Sequence, residues 1–255
     1  VSYLHPPPLA LAHRGFSLAG LENTLTAFRA AWELGFTHLE TDVHATADGV
    51  LVAFHDDTLD RVTDRSGRIA ALTWAEVSRA RIGGTERVVR FEELAEELPG
   101  ACLNVDVKTS AAIAPLAAAI ERLGLHDRIL VASFSDARRR AVLSRLSRRV
   151  PSSAGVRTTA LLAAAAPALP PGVLRWVLRD VDCFQVPERR GSLPVVTPRF
   201  LSRAHALGRQ VHVWTVNEAS DMVRLLDLGV DGLVTDRADL LRDVLAARSE
   251  WPPGS

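Results

Sequence analysis

Lysine is almost missing from this chain of 255 residues: 29 arginines carry the positive charge, and Lys108 is the single exception. Arginine evidently serves wherever a generic cation will do. Lys108 therefore points to a place that needs a compact ammonium and not a planar, forked guanidinium. Cysteine is nearly as scarce. Cys102 and Cys183 lie far apart, each in a short apolar stretch that reads as a strand. Two reduced core thiols fit this better than a disulfide framework, and a cytoplasmic location is expected. A charge excess is also absent, with 30 basic residues against 30 acidic ones. No basic face is implied, so nucleic acid is not expected as a partner. The stretch from Val1 to Pro8 lacks the basic-then-apolar pattern of a signal peptide. The longest apolar run, Ala160 to Leu169, is too short to span a membrane and contains Pro167; it reads as a buried or half-buried helix. No Gly-x-Gly-x-x-Gly and no P-loop follows the first apolar segment, which removes the commonest dinucleotide and nucleotide readings.

What is present is a regular alternation of short apolar strands with amphipathic helices. Strands are predicted at Leu9–Ala12, His38–His44, Cys102–Lys108, Ile129–Phe134, Ser152–Val156, Cys183–Val186, Gln210–Val216 and Gly232–Thr235. Helices are predicted at Asn23–Leu34, Phe91–Leu98, Ala111–Leu123, Asp136–Ser147, through the Ala-rich stretch up to Leu178, and at Pro198–Leu207, Glu218–Leu228 and Ala238–Arg248. Gly35, Gly208 and Gly229 supply helix stops. The arginines at 138, 139, 140, 145, 148 and 149 read as a solvated face of one helix and its end. Asp48-Gly49 turns the second strand back into Val50–Phe54. Residues 57–90 read as an extended loop insertion with a short helix at Trp74–Arg79, and Trp251–Ser255 as a loose tail. Eight strand–helix units in a length close to the ~250 residues of a TIM barrel predict a single (β/α)8 domain over residues 1–255. An open doubly wound sheet is the alternative and normally needs fewer repeats.

Catalytic groups of such a barrel sit at the C-terminal ends of its strands. Those ends carry His13-Arg14-Gly15, then Glu40, Asp42 and His44, then His55-Asp56, Asp106-Val107-Lys108, Gln185, Trp214, Asn217 and Asp236. Glu40 and Asp42 are two apart on a strand and project to one side. Two such carboxylates repel unless a positive group joins them. With Asp106 on the neighbouring strand they form an oxygen donor set suited to one Mg2+ or Ca2+ ion; the bland alternative is pairing with barrel arginines. His13 and His55, with pKa values naturally near neutrality, are the candidate acid and base. Asp56 either orients a ring or caps a local turn.

At this point a family resemblance is evident. His13-Arg14-Gly15, Glu22-Asn23-Thr24, Glu40-Thr41-Asp42-Val43, His55-Asp56, Asn104-Val105-Asp106-Val107-Lys108, Trp214-Thr215-Val216-Asn217, Gly229-Val230-Asp231-Gly232 and Thr235-Asp236 occur in the order seen in the glycerophosphodiester phosphodiesterases, which the chain resembles. The resemblance implies metal-dependent hydrolysis of a small-molecule glycerophosphodiester to glycerol 3-phosphate and an alcohol. It implies His13 and His55 as acid and base, and Glu40, Asp42 and Asp106 as metal ligands. It gives Arg14 and Lys108 to the phosphate, and Trp214 to the glycerol end. One departure is Asp106, where the family usually has Glu; one methylene shorter, it implies a bridging water or a shifted ion. Asp-x-Lys at this point also resembles the related sphingomyelinase D phospholipases, but the intact Glu22-Asn23-Thr24 and the lack of a disulfide-ready cysteine pair favour the first family. Two other classes are distinguishable: a silent phosphate- or protein-binding barrel, with no EDTA-sensitive product release, and an aldolase using Lys108 as a Schiff base, which needs a lowered lysine pKa.

Overall fold

The computed structural model describes residues 3–165 and 171–252. Seven parallel strands run in chain order: Leu9–His13, His38–Ala45, Cys102–Val107, Ile129–Ala132, Cys183–Pro187, Gln210–Trp214 and Gly232–Thr235. All but one neighbouring pair are hydrogen-bonded directly, and the last strand pairs with the first through Leu9↔Gly232 to Ala12↔Thr235. The gap between Ile129–Ala132 and Cys183–Pro187 is filled by two parallel bridges, Val131↔Ser152 and Ser153↔Cys183. With that fifth, two-residue strand the ring of eight closes, and the chain is a TIM barrel.

Alternation along each strand separates two faces. Ala10, Ala12, Leu39, Val43, Leu103 and Val105 belong to the large buried cluster shared with the helices. Leu9, Leu11 and Val234 pack in a separate cluster, as do Tyr3, Cys102, Leu130, Ala132 and Cys183, inside the barrel. The rest of that interior is polar. His38, Glu40, Asp42, Asn104 and His212 are all buried there. Burial of such groups is costly unless they are paired, so the interior of this barrel is organised by its hydrogen bonds and charges.

Several expected boundaries shift. The fifth strand, expected at Ser152–Val156, is reduced to its first two residues because Val156 already opens a helix, Val156–Ala165. Asp136 enforces the change: its carboxylate accepts from Gly155 N at 3.0 Å, Thr158 N at 3.2 Å and Thr158 Oγ1 at 2.7 Å. A Cβ on Gly155 would lie 2.7 Å from that aspartate, so glycine is required for the approach. The fourth and seventh strands stop at Ala132 and Trp214, and the helix expected to reach Ser147 stops at Leu143. Arg139 is not part of a solvated face. It is fully buried and donates to Ser152 Oγ at 2.8 Å and to Asp180 Oδ2 at 3.1 Å, tying the short fifth strand to the next connection. The Ala-rich segment forms helices Val156–Ala165 and Pro171–Val177; the expected continuation through 166–170 lies outside the described residues. Trp251, placed in a loose tail by sequence, packs near Phe36 with ring centroids 5.1 Å apart, and residues 253–255 lie outside the described residues.

The 57–90 insertion is more ordered than a loop. It holds a helix at Trp74–Val77 and a hairpin of Arg81–Ile82 with Glu86–Arg87, while Val89–Arg90 pairs with the return strand Leu51–Ala53. Phe54, Leu59, Ile69, Val77, Ile82 and Val88 give it an apolar cluster of its own. Its sequence reads as loop because those apolar residues are spread among turns with no regular period.

Candidate active site

Register brings the predicted residues onto adjacent strands at one end of the barrel. His13 pairs with Glu40, Glu40 with Asn104, and Asp42 with Asp106. His55 arrives just past the return strand, which is held antiparallel to the second strand and by Phe54 N donating to Asp42 O at 2.9 Å. Lys108 follows Asp106, its N–H donating to Val43 O at 3.2 Å. A cavity of about 150 Å3 is lined by all eight residues singled out by sequence: His13, Arg14, Glu40, Asp42, His55, Asp106, Lys108 and Trp214. A larger surface cavity of about 860 Å3 lies behind Phe134, and neither histidine lines it, so size alone does not locate the chemistry.

The first strand must turn sharply to deliver Arg14. Arg14 takes a φ of +58° and Gly15 one of +86°. A Cβ at Gly15 would meet the backbone of Ala27 at 2.7 Å, so only glycine fits. Asn23, itself at φ +56°, braces the turn: its N–H donates to Arg14 O at 2.9 Å, and its Oδ1 accepts from Thr41 Oγ1 at 2.7 Å. Thr24 then caps the first helix, its hydroxyl accepting from Ala27 N at 3.1 Å. Two non-glycine residues held in this region are strained by roughly 1–3 kcal/mol each, a cost that recurs at ligand-binding sites.

Each candidate histidine has a carboxylate behind it. His13 Nδ1 donates to Asp236 Oδ1 at 2.7 Å, and Asp236 is fixed by Asn217, whose Nδ2 donates to it at 2.8 Å. His55 Nδ1 donates to Asp56 Oδ1 at 2.6 Å. With Nδ1 engaged in both rings, Nε2 is the nitrogen left for the cavity. Burial works against charging His13, but the Glu40 carboxylate and the hydrogen bond to Asp236 outweigh it and raise its pKa. His44, which the sequence also placed among the polar strand residues, acts on the backbone instead, its Nε2 donating to His55 O at 3.0 Å.

The cations are locked to the acids. Lys108 Nζ is 2.7 Å from both Asp42 Oδ1 and Asp106 Oδ2. Arg14 Nε is 3.2 Å from Asp42 Oδ2, and its Nη1 donates to Glu22 Oε1 at 2.9 Å. Burial opposes ionisation of Asp42, yet Lys108 and Arg14 hold its pKa down. Burial likewise disfavours charge on Lys108, and Asp106 and Asp42 overcome it, raising its pKa. That is the reverse of what a Schiff-base lysine needs. Glu40 is left over: burial and the neighbouring Asp42 charge push its pKa up to about 8.

Arg61, in the insertion, is the largest omission from the sequence reading. Its Nε donates to Asp56 Oδ2 at 2.5 Å and its Nη2 to Glu22 Oε1 at 2.6 Å. It thus connects the carboxylate behind His55 to the carboxylate behind Arg14. Asp56 is correspondingly held down to about 2, first by Arg61. No local signal marks Arg61 among so many arginines. Asp236 and Asn104 lie in the motifs that carry the resemblance, but sequence alone assigns them no role.

The three carboxylates expected to bind a metal line one wall but are not drawn round one point, and among the described residues no group of three His, Cys, Asp or Glu side chains could hold an ion as placed. Their environment nevertheless fits a cation. Asp106 Oδ1 and Asn104 Oδ1 are buried acceptors with no donor, and the nearest ionisable partner of Glu40 is the His13 ring, 3.8 Å away.

Residues 13–240 match the Glycerophosphoryl diester phosphodiesterase family. The chain is 47% identical over 250 residues to the probable glycerophosphodiester phosphodiesterase 2 of Mycobacterium tuberculosis, covering 97% of this chain and 94% of that protein. It is 28% identical over 253 residues to the glycerophosphodiester phosphodiesterase of Caldanaerobacter subterraneus, covering 91% and 96%. Among solved structures, an Oleispira antarctica phosphodiesterase in complex with the product sn-glycerol-3-phosphate matches with a TM-score of 0.78 at 24% identity, covering 94% of this chain and 97% of that one.

Proposed function

The chain belongs to the glycerophosphoryl diester phosphodiesterase family and is a phosphoric diester hydrolase; from that premise we propose that it splits glycerophosphodiesters into glycerol 3-phosphate and an alcohol by histidine acid–base catalysis that depends on a divalent cation. The observation that carries the proposal is the pair of histidines, each with Nδ1 tied to a carboxylate and Nε2 left for one small cavity that also holds Arg14 and Lys108.

Glu40, Asp42 and Asp106 would hold the cation, Mg2+ or Ca2+, with Asp106 Oδ1 as the acceptor awaiting a partner. When bound, such an ion neutralises the carboxylates and polarises a phosphoryl oxygen. Lys108 and Arg14 bind the diester anion and stabilise charge that grows on its oxygens. One histidine removes the proton from the attacking hydroxyl, which is the substrate's own glycerol hydroxyl, giving a cyclic phosphate that water then opens. The other histidine delivers a proton to the departing oxygen. Asp236 and Asp56 keep both rings in the tautomer that presents Nε2. Trp214, on the cavity wall, packs against the glycerol end. We place the enzyme in the cytoplasm on its two free, buried thiols, Cys102 and Cys183; among the described residues no helix is long and apolar enough to cross a membrane.

The test is release of glycerol 3-phosphate from a panel of glycerophosphodiesters, before and after EDTA, with Mg2+ and Ca2+ restored in turn. Release that EDTA abolishes and one cation restores is expected. Release indifferent to EDTA would remove the cation, and no release from any diester would remove the function.

A further inference from the structure

Asn104 is a buried polar side chain of the cavity to which neither the sequence nor the proposed mechanism gives a role. It is 3% exposed. Its Oδ1 and the Oδ1 of Asp106 are buried acceptors that, among the described residues, receive no hydrogen bond. Buried oxygens are nearly always paired, so two orphans in one place point to a positive or donating partner that the chain itself does not supply. Asn104 and Asp106 are two apart on the strand Cys102–Val107 and both line the cavity, so they project to the same side. Their side chains are also equal in length.

The neighbouring strand adds two carboxylates. Glu40 pairs with Asn104 and Asp42 with Asp106, so the four side chains form a two-by-two array on adjacent parallel strands. Lys108 takes the Asp42–Asp106 edge, its ammonium 2.7 Å from Asp42 Oδ1 and 2.7 Å from Asp106 Oδ2. Asp42 Oδ2 is engaged as well, with Arg14 Nε 3.2 Å away and Asn23 Nδ2 donating at 3.4 Å. Glu40 Oε2 has only weaker contacts, from Arg14 N at 3.2 Å and the His13 ring at 3.8 Å. The uncommitted oxygens therefore gather on the Glu40–Asn104 side of the array. A cation drawn to Glu40 and to Asp106 Oδ1 has Asn104 beside it. An amide suits that corner. Side-chain carbonyls are ordinary ligands of hard cations. A fourth carboxylate would add to the repulsion among three, whereas an amide adds an oxygen and no charge.

We propose that Asn104 Oδ1 is a direct ligand of the divalent cation, alongside the carboxylates. The inference rests on the cation-dependent reading of the site and gives it a neutral fourth donor.

Calorimetric titration with Mg2+ and with Ca2+, on the whole chain and without any diester, tests this; circular dichroism controls for folding. Wild type should bind one of the two cations. Asn104→Ala should bind it at least about tenfold more weakly, the lower limit when even a supporting residue of a metal site is lost. Asn104→Ser, a milder truncation, carries the same expectation should the alanine variant fail to fold. Asn104→Asp keeps the shape and the oxygen, and should bind as tightly as wild type or more tightly. Full affinity in a folded truncation would overturn the proposal. So would weakened binding in a folded Asn104→Asp, because that change spoils only an amide that works through its N–H. A wild-type chain that binds neither cation would strike the cation-dependent reading itself, and the proposal with it, so the two failures are distinguishable.

Discussion

The two ends of the barrel treat histidine in opposite ways. At the N-terminal ends of the strands, His38 and His212 are buried, and burial lowers their pKa values to about 4 and about 3. Their partners are neutral: His38 Nε2 donates to Tyr3 O at 2.9 Å, and His212 contacts Gln210 Oε1 at 3.1 Å. At the C-terminal ends, His13 and His55 each lean on a carboxylate at 2.7 and 2.6 Å. The side chain is the same. One end excludes charge and serves packing; the other places a carboxylate behind each ring. A histidine in a barrel is a catalytic candidate because of what stands behind its Nδ1.

The sharpest way to break this comparison is to truncate both kinds. His13→Ala and His55→Ala should each lower kcat by about 100-fold to 10,000-fold, the range for general acid–base groups, while His212→Gln leaves kcat within about threefold of wild type because that ring is outside the cavity. Near-normal turnover in either of the first two variants would end the assignment. Next in size is Lys108. Its ammonium sits between Asp42 and Asp106 at 2.7 Å from each, and a broad, planar guanidinium is a poor substitute for that compact charge. Lys108→Arg should therefore cost kcat/KM nearly as much as Lys108→Met, about 2–4 kcal/mol, with circular dichroism unchanged. An active Lys108→Arg would show that any cation serves at this position.

A smaller effect is expected at Arg61, which touches neither histidine yet fixes Asp56 and Glu22. Arg61→Ala should reduce kcat about tenfold, the lower end for groups that orient catalytic partners, and should move the pH–rate profile; a drop with an unmoved profile would mark a role in folding alone. The smallest effect lies at the other end of the barrel. His212 stays neutral in the folded chain and becomes charged near pH 6.5 when unfolded. The unfolded chain therefore binds the extra proton, and the stabilising contribution declines as pH falls from about 6.5 toward about 3. Urea unfolding between pH 7 and 4.5 should show a flatter pH slope in His212→Gln than in wild type; equal slopes would mean that the ring is not held neutral.

Much of this is legible in the sequence because strand periodicity is local. Two-residue spacing puts Glu40 and Asp42 on one side, and eight apolar repeats set the barrel and its order. The fifth strand is shorter than its apolar pattern suggests because Asp136, 19 and 22 residues away from Gly155 and Thr158, captures both and starts the helix early. Arg139 looks solvated in sequence because its buried partners, Ser152 and Asp180, come from other connections. Arg61 carries no signal at all, since a role that consists of joining Glu22 to Asp56 exists only once the insertion has folded.

The chain by itself therefore determined the barrel, the end that carries the candidate site, and eight of the residues that line its cavity. Each follows from short-range rules: alternation on strands, stops on helices, and titratable groups at strand ends. Tertiary structure alone decided how those groups are charged and what surface surrounds them. Lys108 is held as an ammonium because two strands bring Asp42 and Asp106 to it. An apolar groove lies beside Trp214 because a helix from one connection and a hairpin from the next face each other there. Distances between segments remote in sequence set both, and no local pattern encodes them.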